Sequence, residues 1–403
     1  MISKKNINII YLIFFSCIFF LHFYQLSNQH WSGVLDQDLI IIYNSILLNS
    51  GIEQEYRDHP ALTTFLLHSF FYNISSFLFN VPNEINDILN SNKINEILQF
   101  YFHVSRIINF FINLLLILIF DRILKKLDFN RHIRFFICLI FIISIGYISS
   151  FFVIRSENLS LLLLCLSANA ILTKKRDLLL NFFIAGIFFA LAMLAKIQII
   201  FISLYLIYLI VYVSRNPKLK FNDNLYLKNY LLFSFIVGIL AFFIFQIYIQ
   251  EYPRFETNKY LDLTFFILSF SIFLIYFYLS NNFKKNLLLF SSMLNGFLFL
   301  LVFFIVLDKI NLLHINDFIL LRITNPIHYM TEFTGKLAHG AINIDYILKN
   351  IFQVFSSYKF NLIELLIILL LLVINLKNKN FILIIFSIFL INTMVMNIRY
   401  ISV

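Results

Sequence analysis

The stretch LLLNFFIAGIFFALAMLAK, residues 178 to 196, decides the fold class of this chain. Its first eighteen residues contain one asparagine among apolar and small side chains, and the only ionisable group is the closing lysine. A helix needs about 20 consecutive apolar residues to cross the hydrocarbon core of a membrane. The stretch therefore predicts a membrane-spanning helix, and a second apolar run, 197–213, follows the lysine.

The composition of the whole chain agrees with this prediction. The 403 residues are 61% hydrophobic and 13% charged, and the mean hydropathy is +0.86, which excludes a soluble globular protein. A net charge of +10 would suggest a nucleic-acid partner only in a soluble chain, so we expect none here. Cys17, Cys138 and Cys165 all fall in apolar runs and are interpreted as small hydrophobic side chains.

Hydropathy predicts an all-α integral membrane protein, a polytopic bundle of about 11 transmembrane helices in a single domain, 1–403. The predicted spans are 7–26, 101–120, 135–154, 156–173, 178–195, 197–213, 229–250, 261–279, 287–307, 361–376 and 381–396. Residues 7–26 follow Lys4 and Lys5 as in a signal peptide. The apolar run is long and no small-residue cleavage site follows, so we interpret it as a retained span.

The segment 61–79 is long enough to span but carries seven polar side chains. If it lies on the membrane surface, six loops share one side of the membrane. These loops contain 18 of the 31 Lys and Arg residues but only four of the 21 acids. Because cytoplasmic loops are enriched in Lys and Arg, this arrangement is favoured. It gives two long outer loops, 27–100 and 308–360. The first contains two juxtamembrane helices, 39–49, with Asp38 as a plausible N-cap, and 61–79.

Acidic residues gather directly after the first predicted span. Asp36 and Asp38, in LDQD, could bind a divalent cation or act as a base, or Asp38 could simply cap a helix while Asp36 is solvated. The other acids near them are Glu53, Glu55, Asp58 and Glu84.

Two further ionisable groups lie at predicted outer hairpins. Arg155 and Glu157, in VIRSENLS, occupy the shortest loop of the chain, either as a solvated turn or as a carboxylate held close to the membrane surface. Lys196 either snorkels to the interface or provides a cation for a phosphate.

Three more cationic or titratable side chains are candidates for contacting an anion. Arg57 and His59, in YRDHP, precede the second surface helix and could equally belong to an ordinary polar loop. Arg106 lies one turn inside a span, either as an interfacial anchor or as a phosphate contact.

The order of these features resembles the GT-C glycosyltransferases. The resemblance is to the branch containing protein O-mannosyltransferases and the aminoarabinose and galacturonosyl transferases of lipid A and lipopolysaccharide. It runs from about residue 7 to 213. It rests on Asp36, the segment LLNSG, the segment YRDHP, Arg106, the acid Glu157 and the segment GIFFALAMLAK, in that order.

The match is residue by residue, with departures. Asp36 precedes Gly51 by fifteen residues, as the first-loop Asp does in the family, but Gln37 replaces the usual Glu, so Asp38 could substitute for it. Glu157 stands where the family usually has Asp, and Lys196 matches the lysine of its TK motif. His59 falls where several relatives carry Lys or Pro. Near the C-terminus an Arg-Tyr pair matches, and the chain then ends three residues later, so it is expected to be short relative to the family.

The resemblance implies transfer of a sugar from a polyprenyl-phosphate carrier to a glycan, lipid or protein acceptor. The active site would face outward from a multi-pass protein of the bacterial inner membrane. Asp36 would be the general base, with Asp38 and Glu157 as further catalytic acids, and the donor phosphate would contact Lys196, His59, Arg106 and Arg57. A divalent cation held by Asp36 and Glu157 stays open.

Two alternatives remain. An O-antigen-type ligase or polymerase would use Arg322, His328 and His339 in the second outer loop. A polysaccharide transporter would place ionisable residues near the midplane of the membrane and show internal repeats, and the sequence has neither feature.

Overall fold

Every regular element in the described part of the chain is a helix. A computed structural model of the protein describes residues 28–33, 36–55, 61–143, 153–173, 178–196, 203–214 and 283–310, and nine single positions, 13, 16, 17, 20, 21, 24, 147, 199 and 313. The predicted spans 229–250, 261–279, 361–376 and 381–396, most of 7–26 and nearly all of the loop 308–360 lie outside these residues. The number of eleven spans therefore stays a prediction.

A short 3-10 turn, Trp31–Gly33, precedes nine α-helices. They are α1 Asp36–Asn49, α2 Leu62–Phe79, α3 Ile85–Leu89, α4 Ile94–Lys126, α5 Arg131–Ile143, α6 Ser156–Ile171, α7 Leu178–Ala195, α8 Ser203–Ser214 and α9 Phe283–Lys309.

The predicted helices that fall within the described residues are found, with differences at their ends. Helix α7 has the predicted bounds, because an acid before it and a lysine after it mark the ends of its apolar run. Helix α4 has 33 residues, about 50 Å at 1.5 Å per residue, and starts well before the predicted span at 101. Its first turns include Glu96 and Gln99, which hydropathy alone excludes from a span although they are helical.

Four of the helices, α2, α4, α7 and α9, are long and apolar enough to cross a membrane. Helices α1 and α6 are apolar but shorter. The described part of the chain is thus all-helical and has the apolar helices of a membrane protein. Because α2 meets the length and hydropathy needed for a span, its position on the surface remains a prediction based on the distribution of charge.

Helices α6, α7 and α9 form the centre of the bundle, where serines bridge neighbouring helices. Ser160 and Ser167 of α6 each donate a hydrogen bond to a backbone oxygen of α7, at 2.8 Å, and Ser292 of α9 donates one to Leu179 at 2.7 Å. Small polar residues are common between membrane helices because they let the backbones approach and satisfy their own hydroxyl groups.

Helices α7 and α9 approach each other closely at two glycines. A Cβ added to Gly186 would lie 1.8 Å from the carbonyl oxygen of Met293, and one added to Gly296 would lie 1.9 Å from that of Phe183. Neither position has room for a larger residue, so the two glycines set the distance between these helices.

Helices α1, α2, α3 and the start of α4 enclose a second core. Its fully buried side chains include Ile46, Phe65, Tyr72 and Tyr101. Helix α1 ends in a Schellman motif, in which Gly51 has φ 66° and the N–H of Ile52 bonds to the carbonyl of Leu47. The glycine that the sequence places fifteen residues after Asp36 is thus the stop signal of α1.

The two cores meet at residues 102–108 and 154–159. Phe102 and Ile154 belong to this second core, whereas Ile108 and Leu159 belong to the core of the bundle. The ionisable residues singled out by the sequence at 106 and 157 lie between these pairs, at the boundary of the two cores.

Candidate functional site

Asp38 joins three distant segments through two hydrogen bonds. Its Oδ2 accepts a hydrogen bond from Nη2 of Arg106 at 2.7 Å, and its Oδ1 accepts one from the backbone N–H of Ile154 at 2.7 Å. The side chains of Asp38 and Arg106 are 1% and 4% exposed. The prediction that Asp38 is the N-cap of its helix is wrong, because α1 begins at Asp36 and Asp38 is its third residue.

Arg106 has further neighbours on both sides of this ion pair. Its guanidinium carbon lies 4.9 Å from the centroid of the Phe102 ring, and its Nη2 also lies 3.4 Å from Oε1 of Gln29. A planar guanidinium suits this combination of stacking and paired charge. Arg106 therefore stabilises Asp38 and the turn at Ile154, and its Nη2 is already used by protein acceptors.

Lys196 and Glu157 form a second ion pair, with 3.0 Å between Nζ and Oε1. Lys196 directly follows the C-terminus of α7, and Glu157 lies in the first turn of α6, so each charge also complements the dipole of its own helix. The Lys196 side chain is 8% exposed and that of Glu157 is 22% exposed. Lys196 thus turns toward protein at this hairpin, and Glu157 keeps part of its surface accessible.

Arg155 lies between Arg106 and Glu157 in the sequence. Unlike Arg106 and Lys196, it has no ion-pair partner among the described residues. It is 8% exposed, and its Nε and Nη2 are buried without a hydrogen-bond partner among the described residues. It also forms the N-cap of α6, with extended backbone and no side-chain cap. The sequence pointed to Arg155 only as part of its turn and gave it no role.

A group of asparagines lies next to the cluster, on the side of the bundle. Asn158 donates to Oδ1 of Asn109 at 3.3 Å, and Asn109 donates to the carbonyl of Val153 at 3.1 Å. These asparagines were not among the residues predicted from the sequence. The signal was available, since Arg106, Asn109 and Asn113 recur at helical spacing on one side of an otherwise apolar helix.

The remaining predicted site residues are not brought together by what the structure describes. Arg57 and His59 lie outside the described residues, and Asp36 is described only as the first residue of α1. Three other acids of the first loop, Glu53, Glu55 and Glu84, are exposed to solvent. Of the acids near the first span, Asp38 is thus the one with a described place inside the cluster.

Within the described residues, no group of three His, Cys, Asp or Glu side chains is arranged to hold a metal ion. Asp38 and Glu157, the two carboxylates of the cluster, each face a cation from another helix. The described cluster thus consists of two ion pairs and of Arg155, which lies in the sequence between Ile154, bound by Asp38, and Glu157, bound by Lys196.

Comparison of the chain with models of known protein families, with curated proteins and with solved structures found no match. A functional proposal therefore rests on the geometry of the cluster, which contains Asp38, Arg106, Arg155, Glu157 and Lys196.

Proposed function

We propose that the chain is a membrane glycosyltransferase that moves a sugar from a polyprenyl-phosphate carrier to an acceptor on the outer face of the membrane. The observation that carries the proposal is a pair of ion pairs, Asp38–Arg106 and Glu157–Lys196, which the segment 154–157 connects because the N–H of Ile154 binds Asp38. Three of these positions, Arg106, Glu157 and Lys196, also carry the resemblance to GT-C enzymes, whose first-loop acid corresponds to Asp36 rather than Asp38.

The chemistry requires a base and a cationic environment. The acceptor hydroxyl attacks the anomeric carbon, the bond from that carbon to the phosphate oxygen breaks, and the phosphate leaves with one additional negative charge. The hydroxyl proton passes to a carboxylate. Cations near the phosphate stabilise the charge that develops there.

Asp36 is the proposed base, because Asp38 is poorly suited to that role. Both oxygens of Asp38 already accept hydrogen bonds, and the side chain is buried. In this proposal Asp38 and Arg106 are positioning residues that fix α1 against the turn at Ile154. Asp36 is the first residue of the same helix, two residues before Asp38, which supports its proposed position at the edge of the cluster.

Glu157 and Lys196 form the second half of the proposed site. In this proposal Lys196 provides positive charge for the donor phosphate, and Glu157 orients Lys196 through their 3.0 Å contact. Arg57 and His59 remain proposed phosphate contacts from the first loop. The partly accessible Glu157 carboxylate could also orient the acceptor hydroxyl. Glu157 is therefore the second carboxylate proposed for the site, after Asp36.

The contacts of α2 support an outward-facing site bordered by a surface helix. Near its C-terminal half α2 contacts α4 through Tyr72 and Ser105, and the chain just after it receives a hydrogen bond from Tyr101. At its start, Thr63 donates to the carbonyl of Leu191, one turn before the end of α7. These partners lie near the outer ends of α4 and α7 in the proposed topology, as expected for a helix at the interface that could border a groove for a polyprenyl tail.

The position of the ion pairs favours this proposal over a transporter. A transporter is expected to hold its ionisable residues near the midplane of the membrane. Glu157 lies in the first turn of its helix and Lys196 follows the end of another.

The test is an assay of purified protein in detergent with a panel of radiolabelled monosaccharides linked to polyprenyl phosphate. We expect release of free polyprenyl phosphate and transfer of label to an acceptor fraction of the cell envelope. Activity only with diphosphate-linked glycans would indicate a ligase. Vesicle uptake or flipping of the intact carrier without cleavage would indicate a transporter. Either result would contradict the proposal.

A further inference from the structure

The charges of the described cluster do not balance. It contains three cations, Arg106, Arg155 and Lys196, and two carboxylates, Asp38 and Glu157. Asp38 is paired with Arg106 and Glu157 with Lys196. Arg155 is left without a described counter-charge although it is more than nine-tenths buried.

An isolated buried charge is costly, and buried charges in proteins are normally paired or bound to a ligand. The two nitrogens of Arg155 that lack described partners are Nε and Nη2. Their N–H bonds lie on one edge of the guanidinium plane and point in nearly parallel directions. This edge is the one that binds two oxygens of a phosphate or carboxylate at once.

The backbone of Arg155 stands at a second feature that favours an anion. Arg155 is the N-cap of α6, a 16-residue helix, and its own side chain does not cap that end. The first N–H groups of a helix have no partner within the helix, and the helix dipole favours an anion there. The arginine and the helix N-terminus thus select the same kind of ligand.

We infer that Arg155 and the N-terminus of α6 bind an oxyanion, the phosphate group of a lipid carrier, through Nε and Nη2 of Arg155. The assignment to a lipid phosphate rests on the proposed function and on the apolar residues on either side of the cluster. Free inorganic phosphate offers the same oxygens, so the two sources must be separated by experiment.

The Glu157–Lys196 ion pair has a role in this site even without touching the anion. Glu157 lies two residues after Arg155, in the first turn of α6, where its negative charge would repel an anion. Lys196, at 3.0 Å, compensates that charge. Loss of the Lys196 charge should therefore weaken anion binding at Arg155, and simultaneous loss of the Glu157 charge should restore part of it.

The test is equilibrium binding of three probes to the full chain in detergent: a short-chain polyprenyl phosphate, the matching polyprenol and inorganic phosphate. For the wild-type protein we expect the lipid phosphate to bind most tightly. In Arg155→Gln the affinity for the lipid phosphate should fall at least tenfold while the affinity for polyprenol stays the same. Arg155→Lys keeps the charge but not the two parallel donors. Its affinity for the lipid phosphate should lie between that of the wild type and that of Arg155→Gln.

The matched control is Arg134→Gln. Arg134 is likewise a mostly buried arginine, with a side chain 13% exposed, but it lies 3.6 Å from Asp121, where the start of α5 meets the end of α4 that is remote from Arg106. It should bind all three probes like the wild type. If Arg155→Gln does not remain folded, the comparison of Arg155→Lys with Arg134→Gln provides the test.

Three results would overturn the inference: unchanged lipid-phosphate affinity in both Arg155 variants, an equal loss for polyprenol and lipid phosphate, or tighter binding of inorganic phosphate than of the lipid. Failure of the proposed function looks different. Arg155-dependent lipid-phosphate binding without any sugar transfer would leave this site standing and remove the glycosyltransferase. Sugar transfer that continues at the wild-type rate in Arg155→Gln would support the glycosyltransferase and rule out this site.

Discussion

At the scale of single residues, Asp38 is the side chain whose role the structure changes most. The sequence allowed it to be a cap, a base or a cation ligand, and a cap would tolerate asparagine well. Its carboxylate instead binds Arg106 and the N–H of Ile154 in a buried position. Removing one partner of a buried ion pair leaves the other charge unpaired, which typically costs about 3–5 kcal/mol.

We therefore predict that Asp38→Asn lowers the free energy of unfolding by a few kcal/mol, because Arg106 loses its counter-charge. Chemical unfolding in detergent, followed by circular dichroism, measures this change. Glu53→Gln is the control, since Glu53 is an exposed acid in the same loop and should have little effect. Equal stability of the two variants would show that the ion pair does not hold α1 in place.

The second residue-scale prediction concerns Lys196. Lys196→Met keeps the length of the stem and removes the charge. Loss of the phosphate contact should raise the barrier to sugar transfer by about 2 kcal/mol, so the rate should fall at least tenfold. The same change leaves Glu157 without its partner. The double variant Lys196→Met, Glu157→Gln should therefore recover stability but not transfer, as judged by unfolding and by turnover. Wild-type turnover in Lys196→Met would contradict a role in catalysis.

At the scale of helices, the interface of α7 with α9 makes the sharpest prediction. Gly186→Ala and Gly296→Ala would each place a Cβ under 2 Å from a carbonyl oxygen of the other helix, so the helices must separate. Overpacking of this kind typically costs about 1–3 kcal/mol. Gly33→Ala is the matched control, since a Cβ there meets nothing within 4 Å. Thermal unfolding should separate both interface variants from the control, and equal melting temperatures would contradict the close packing.

The helices also show how much of the fold could be predicted from the sequence. Apolar runs bounded by charges gave α7 with its correct ends, and the predicted end of the first surface helix at residue 49 matches the end of α1. Hydropathy could not find the first turns of α4, because polar residues such as Glu96 and Gln99 remain helical beyond the apolar segment. Hydropathy measures solvent preference, so it cannot define a helix that continues out of its apolar segment.

The candidate site was predictable in part, for a related reason. Cations and acids at the outer ends of predicted spans could be expected to approach one another, and Arg106, Glu157 and Lys196 do lie in one cluster. The pairing could not be predicted, because it depends on how the helices rotate about their axes. Arg155 lacked a signal of its own, since an arginine in a short turn is usually solvated, and its burial follows from the meeting of two cores.

At the scale of the whole molecule, the orientation in the membrane is the prediction that the charges support. In a background with Cys17, Cys138 and Cys165 replaced by alanine, Asn92→Cys should react with a membrane-impermeant thiol reagent on intact cells. Lys125→Cys should react only after permeabilisation. Both positions are exposed and lie at opposite ends of α4. The reverse pattern would place the basic loops outside, make α2 a span and turn the proposed site toward the cytoplasm.

The central claim is that the cluster performs sugar transfer from a polyprenyl-phosphate donor with Asp36 as the base. The most direct measurement is single-turnover transfer by matched amounts of the wild-type protein and Asp36→Asn, with donor binding measured in parallel. Asparagine keeps the size of the side chain but cannot take a proton. The chemical step should therefore fall by about 100-fold to 10,000-fold while donor binding is retained. Transfer at the wild-type rate by Asp36→Asn would contradict the account.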